Sequence, residues 1–165
     1  MQRSDISILM LRLVFGLFLS WHGVNKIRNG ISGTAAWFGS IGMRWPRVQA
    51  WIAATTEIGT GFLFASGFLT PLAAAGIIAT MIIAIVTVHW RVGFFIFLPN
   101  GGWEYCASIA VVAAAVAWSG AGDASVDARL GTMDGSGWGA GGILLGLVAA
   151  TAHLALSWRR QEVQK

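Results

Sequence analysis

The sequence predicts an all-α integral membrane protein, one bundle of hydrophobic helices, and three observations carry that prediction. Of its 165 residues, 56% are hydrophobic and 11% charged, and the mean hydropathy is +0.68; a soluble domain carries about a quarter charged residues. The apolar residues come in blocks near the ~20 residues that a helix needs to cross a bilayer. The tryptophans gather at the edges of those blocks, as indole rings do at the headgroup level.

The first block runs from Ile6 to Lys26. Arg12 interrupts it and no small-x-small cleavage site follows closely, so it reads as a retained span rather than a signal peptide. The second block is Arg47–Ser66 and the third Thr70–Trp90. The link between them is so short that they form a tight hairpin, and Pro71 suits the first turn of the third helix, where a missing N–H costs little. The fourth block, Trp103–Trp118, is the shortest. Residues Gly120 to Gly137 are polar, glycine-rich and acidic and read as a loop outside the bilayer. The fifth block is Gly139–Trp158.

Let the N-terminus start at end A, with end B opposite. Trp21, Trp51, Trp90, Trp103 and Trp158 then fall near end B, and Trp118 and Trp138 near end A. Basic residues sort as well. End B carries Lys26, Arg28, Arg44, Arg47, Arg91, Arg159, Arg160 and Lys165, whereas end A has Arg3 and Arg129 beside Asp123, Asp127 and Asp134. The positive-inside tendency makes end B cytoplasmic, with the N-terminus outside and the C-terminus inside. The net charge of +4 serves orientation and lipid headgroups, because no basic patch with interleaved aromatics marks a nucleic-acid surface. The single cysteine, Cys106, excludes an internal disulfide, a CxxC pair and a thiolate metal cage; it reads as a small apolar filler.

Small residues stripe two helices: Ala50, Ala53, Ala54 and Gly61 on the face of Glu57, and Gly142 and Gly146, a G-x-x-x-G that continues through Ala149 to His153. Such faces pack helices in lipid, within the bundle or against another subunit.

A charge near the bilayer centre costs roughly 2.5–3.5 kcal/mol, so such residues pair, face the bundle or serve a site. On the first helix Arg12, Gly16, His22, Gly23 and Lys26 share one arc of about 120°, which predicts a protein-facing surface; Lys26 alone could also snorkel to the headgroups. Glu57 lies mid-span, and the expected partner for it is Arg12, either as a register-fixing ion pair or as a carboxylate poised in a polar cavity. Near end B the chain brings His22, Lys26, His89, Glu104, Tyr105 and His153 within about two turns of helix ends. Histidine and glutamate beside an aromatic belt suit the head of a quinone or similar lipophilic ring. Each histidine alone could equally be a hydrogen-bonded helix-end residue. The HxxxH or ExxH spacing of a metal or haem site is missing.

These residues fall into a pattern that resembles the DoxX family of small membrane proteins. It is carried by R-L-V-F-G-L-F-L-S-W-H-G-V-N-K (Arg12 to Lys26), W-F-G-S-I-G (Trp37 to Gly42) and E-I-G-T-G-F-L-F-A-S-G-F-L-T-P-L-A-A (Glu57 to Ala74). V-H-W-R-V-G-F-F (Val88 to Phe95), N-G-G-W-E-Y (Asn100 to Tyr105) and S-G-A-G-D-A-S-V-D (Ser119 to Asp127) follow in order. The resemblance implies a four-helix bundle over residues 1–130 in the prokaryotic plasma membrane, leaving 131–165 as loop, additional fifth helix and basic tail. It carries over Arg12, His22, Lys26, Glu57, His89, Glu104 and Asp127 as the polar positions. It places Asp127 where it could reach Arg12 from end A. The chain has Gly120-Ala121-Gly122 where the family usually has Gly-Pro-Gly.

In function the resemblance implies a subunit of a quinol-linked or thiol-handling complex, or a partner of enzymes that deal with reactive oxygen. The leading expectation is therefore a membrane subunit of a redox-linked complex that touches a quinone-like ligand. The alternatives are an interaction or assembly protein, docking through the Gly142/Gly146 face or as a homo-oligomer, and a small transporter with Glu57 and the histidines as a proton route. Nucleophile and phosphate motifs are missing, and no independent catalysis is assigned.

Overall fold

The structure, a computed structural model, describes residues 2–133 and 135–159. Asp134, Arg160 and Lys165 of the charge pattern lie outside the described residues. Among the described residues seven α-helices follow one another: α1 Arg3–Arg28, α2 Ile31–Ser40, α3 Pro46–Ser66, α4 Thr70–Ala84, α5 Glu104–Ser119, α6 Val126–Leu130 and α7 Ser136–Ser157. A π-helical turn, Ile85–His89, extends α4. The fold is the expected all-helical bundle, and the five hydrophobic blocks are α1, α3, α4 with its extension, α5 and α7. By length and apolarity alone, α1, Thr70–His89 and α7 qualify as spans, and α5 is a shorter apolar helix. With 21 residues α3 has the length, but Thr55, Thr56, Glu57 and Thr60 make it more polar; Glu57 is buried, Thr56 and Thr60 are partly buried and Thr55 is exposed.

Two seams hold the bundle. Along α1 the buried positions are Arg12, Gly16, Leu19 and Gly23, at helical spacing, while Leu17, Phe18 and Trp21 look outward. This stripe meets α3 running the other way. A β-carbon on Gly16 would stand 2.5 Å from the Gly61 carbonyl, and one on Gly23 would stand 2.6 Å from that of Ala54. The backbones therefore touch, and in lipid that close approach is itself the source of helix association. The second seam joins α7 to α4. Gly142 lies against the Pro71 backbone and Gly146 against Ala75 and Ile78. The G-x-x-x-G face is thus taken by α4 of the same chain, which removes it as a docking surface for a partner. Gly139 meets the backbone of Ala117 on α5 in the same way. Phe64, Ile77, Ala113 and Val116 form the fully enclosed centre.

The connections are tightly specified. Gly67 ends α3 in the left-handed conformation (φ 65°) and Pro71 follows within the first turn of α4, the usual order of stop and restart. The polar stretch after α5 holds a short helix, α6, where a loop is expected. Ser125 starts it, its Oγ accepting from the Ala128 N–H at 3.1 Å. The segment between the first two spans is also helical, as α2, which packs on α3 at end B. There the end of α7 is tied in: Arg44 N–H donates to the Ser157 carbonyl at 2.7 Å, Arg159 N–H to Gly42 at 2.9 Å and the Trp158 indole N–H to Ile41 at 2.9 Å.

Candidate functional site

A cavity of about 680 Å³ lies at the end-B half of the bundle, between α1 and α3 on one side and α4 and α7 on the other. Helix α2 and the segment before α5 cover it. Its volume falls in the range of ligand pockets, and its wall is mostly apolar with a few polar groups, as such pockets are built. Leu19, Phe38, Ile52, Met43, Met81 and Ile83 supply much of the apolar surface.

Of the expected end-B residues, His22, Lys26, His89, Tyr105 and His153 all line this cavity, and Glu57 joins them. Glu104 does not. It is the first residue of α5, and because Tyr105 and Cys106 turn to the cavity, its side chain leaves α5 about 100° or more away from theirs.

The seam register explains the polar cluster. With Gly16 facing Gly61 and Gly23 facing Ala54, Glu57 lies opposite Ser20 to Gly23, and Lys26 one turn further on reaches it. Lys26 Nζ donates to Glu57 Oε2 at 2.5 Å and lies 3.3 Å from His22 Nδ1, which is 3.9 Å from the same carboxylate oxygen. Glu57 therefore pairs with Lys26, not with Arg12 as expected from depth alone. Lys26 does not snorkel: its side chain is 15% exposed and that of Glu57 8%. An ammonium group only donates, so His22 Nδ1 accepts, and the neutral ring carries its proton on Nε2. One Lys26 N–H is left beyond those given to Glu57 and His22.

His89 has the opposite polarity. It closes the π-helical turn, a distortion that often marks functional sites, and its Nδ1 lies 2.9 Å from the Gly101 carbonyl. A carbonyl only accepts, so Nδ1 carries the proton and the neutral ring keeps an acceptor lone pair on Nε2. Thr56, Thr80 and Thr87 add hydroxyls to the wall, and those of Thr80 and Thr87 donate to the Gly76 and Ile83 carbonyls, both at 2.8 Å. Among the described residues no three His, Cys, Asp or Glu side chains gather as a ligand set for a metal ion.

Sequence reasoning passes over Gln49 and Thr56, which also line the cavity; they lie about 80° and 100° around α3 from Glu57, so a helical projection centred on Glu57 does not single them out. It treats Cys106 as filler, whereas the buried thiol is part of the cavity wall.

Arg12 and Asp127 form a separate arrangement at end A. Arg12 is 1% exposed, and its Nη2 donates to the Ala124 carbonyl at 2.7 Å. Its Nη1 lies against Gly67, and neither Nη1 nor Nε has a hydrogen-bond acceptor. Asp127 supplies the opposing charge without a direct ion pair. Its carboxylate instead caps α4, with Oδ1 accepting from Leu69 N–H and Oδ2 from Thr70 N–H, both at 2.9 Å, and Oδ1 also from Thr132 Oγ1 at 3.2 Å. Arg12 and Asp127 thus grip the α3–α4 turn from two sides.

The sequence profile of the family described as DoxX matches residues 7–90, which takes in Arg12, the Lys26–Glu57–His22 cluster and His89 but stops before Asp127. "Putative oxidoreductase CatD" of Bacillus subtilis (strain 168) is 33% identical over 101 residues, 61% of this chain and 71% of that protein. No solved structure matches the chain. A match over half of the chain, together with that relative and the apolar helical bundle, makes this a membrane protein that belongs to the DoxX family.

Proposed function

We propose that the chain is the membrane subunit of a redox-linked complex, and that its end-B cavity holds the ring of a quinone-like lipophilic ligand. The observation that carries the proposal is the opposed polarity of two of the cavity's histidines, His22 and His89. His22 Nε2–H and the remaining Lys26 N–H are donors, suited to a carbonyl oxygen; His89 Nε2 is an acceptor, suited to a hydroxyl. A ring that changes between carbonyl and hydroxyl at its two ends finds a partner for either form. Lys26 is held in place by its bond to Glu57, so the donor end keeps its geometry in either state. The relative named as an oxidoreductase supports redox chemistry in the surrounding complex, with electrons exchanged by a partner enzyme. The excess of arginine and lysine at end B supports a cytoplasmic position for the cavity end and an outside N-terminus.

The test is a titration of the purified protein in lipid nanodiscs with decyl-ubiquinone, read by tryptophan quenching against empty nanodiscs. Saturable quenching is expected, with at least tenfold weaker binding in Lys26→Met and His22→Phe. Linear quenching equal to that of partition into empty discs would leave an assembly protein as the better reading, and the pairs would then serve the fold alone.

A further inference from the structure

Between the π-helical turn and α5 the chain forms a closed hairpin whose outer side is apolar. Phe94, Phe95, Ile96 and Phe97 are consecutive and all exposed, Phe97 at 78%. The hairpin satisfies its own backbone: Gly102 N–H donates to Phe95 at 2.9 Å, Trp103 N–H to Gly93 at 3.0 Å, Glu104 N–H to Phe94 at 3.0 Å and Gly101 N–H to Leu98 at 2.8 Å. Internal pairing is the condition on which non-helical backbone exists at membrane depth. Trp90 and Trp103 stack at its base, centroids 5.9 Å apart, continuous with the end-B tryptophan belt. Its inner side, Ile96, Asn100 and Gly101, is cavity wall. Gly93 (φ 116°) and Gly101 (φ 69°) frame it in a conformation that side chains disfavour. The bond from His89 Nδ1 to the Gly101 carbonyl holds the inner side to α4's extension.

We infer that this hairpin is a membrane-embedded flap over the cavity, latched by His89, and that the ligand passes under it from the bilayer. The inference rests on the cavity reading above and narrows it: the ligand is a membrane-dissolved molecule with a ring head and a long apolar tail. An aqueous ligand would need a polar rim, and the outer side here offers the exposed rings of Phe94, Phe95 and Phe97.

Two measurements test it. A nitroxide on Phe97→Cys, in a Cys106→Ala background, is expected to collide with oxygen more than with an aqueous nickel chelate in nanodiscs, as a label on outward-facing Leu145→Cys does. Preference for the nickel chelate overturns the flap. Stopped-flow binding of decyl-ubiquinone is expected to show His89→Ala raising association and dissociation rates together, at least threefold, with His89→Asn restoring both. Unchanged rates, or a rise in dissociation alone, overturns the latch and makes His89 a simple ligand contact. If the parent binds no quinone, the ligand reading falls. The nitroxide still decides on the flap, because its spectrum should gain mobility in His89→Ala, and an unchanged spectrum ends the latch.

Discussion

Helix α1 carries two inward-facing cations, Arg12 near end A and Lys26 near end B, fourteen residues or about 21 Å of helix apart. They solve the same problem, a full charge inside an apolar bundle, in opposite ways. Arg12 is 1% exposed, sealed between Gly67, the Ala124 carbonyl and the α4 cap. Lys26 meets a carboxylate on the neighbouring helix, and the pair forms part of a cavity wall. A charge packed shut serves to fix loops, since nothing can reach it. A charge pair beside unfilled volume is still available to something that arrives. Enclosure, not charge, separates the fastening from the candidate site.

The largest effect should come from breaking the fastening. Arg12→Ala removes the Ala124 bond and leaves Asp127 buried without its opposing charge, and removal of one member of a buried charged arrangement costs about 3–5 kcal/mol. Unfolding in mixed detergent micelles should show that loss, and Arg12→Lys should recover little of it, because an ammonium group lacks the planar fork that spans Ala124 and the Gly67 turn. Stability equal to the parent, with quinone binding lost instead, would erase the distinction between the two ends.

Next comes the Lys26–Glu57 pair. Lys26→Met and Glu57→Met each leave a partner unmatched, at about 2–4 kcal/mol. The double variant Lys26→Met with Glu57→Met should cost less than the two losses together, with a coupling of about 1–3 kcal/mol. The informative readout is the divergence: stability returns in the double variant and decyl-ubiquinone binding does not. If both return, the pair belongs with Arg12 as a purely structural device.

The sequence and the structure agree best where physics acts on single segments. Block lengths, the tryptophan belt and Pro71 placed the five principal helices to within a few residues, and nearness to end B brought His22, Lys26, His89, Tyr105 and His153 to one cavity. Agreement stops where the answer depends on register between helices. Arg12 and Glu57 are compatible in depth, but the backbone contacts at Gly16 and Gly23 fix α1 against α3 so that Glu57 meets Lys26. Glu104 failed for a related reason: leaflet position does not say which way a residue at a helix start points. Helix α2 has ten residues, too few to cross a bilayer, so span length does not reveal it; its Ala35, Trp37 and Phe38 hold the signal of a helix lying at the end of the bundle. The π-turn at Ile85–His89 has no glycine or proline to announce it, so nothing local in those five residues marks it.

A smaller effect belongs to the cap. Asp127→Asn keeps one acceptor for the α4 N-terminus but loses the charge that favours it, which predicts a loss of about 1–2 kcal/mol. The same micelle unfolding should resolve it, with decyl-ubiquinone affinity unchanged, because the α4 turn is at the far end from the cavity. A weakened affinity would show that the two ends communicate along α4.

The smallest effect tests whether the α1–α3 seam, and not α3 as a whole, sets both clusters. A β-carbon at Gly61 would strike the Gly16 carbonyl, whereas one at Gly59, two residues earlier, meets nothing within 4 Å. Gly59→Ala should therefore leave the seam register intact. Alanine's greater helix propensity, up to about 1 kcal/mol, should then show as a slight gain in unfolding stability. Lys26 would still reach Glu57 and Arg12 would still meet Gly67, so ligand affinity should match the parent. A loss at either end from this outward methyl group would mean that α3 positions Glu57 and Gly67 through its own flexibility, and the contrast between a sealed end and an available one would have to be drawn from α3 rather than α1.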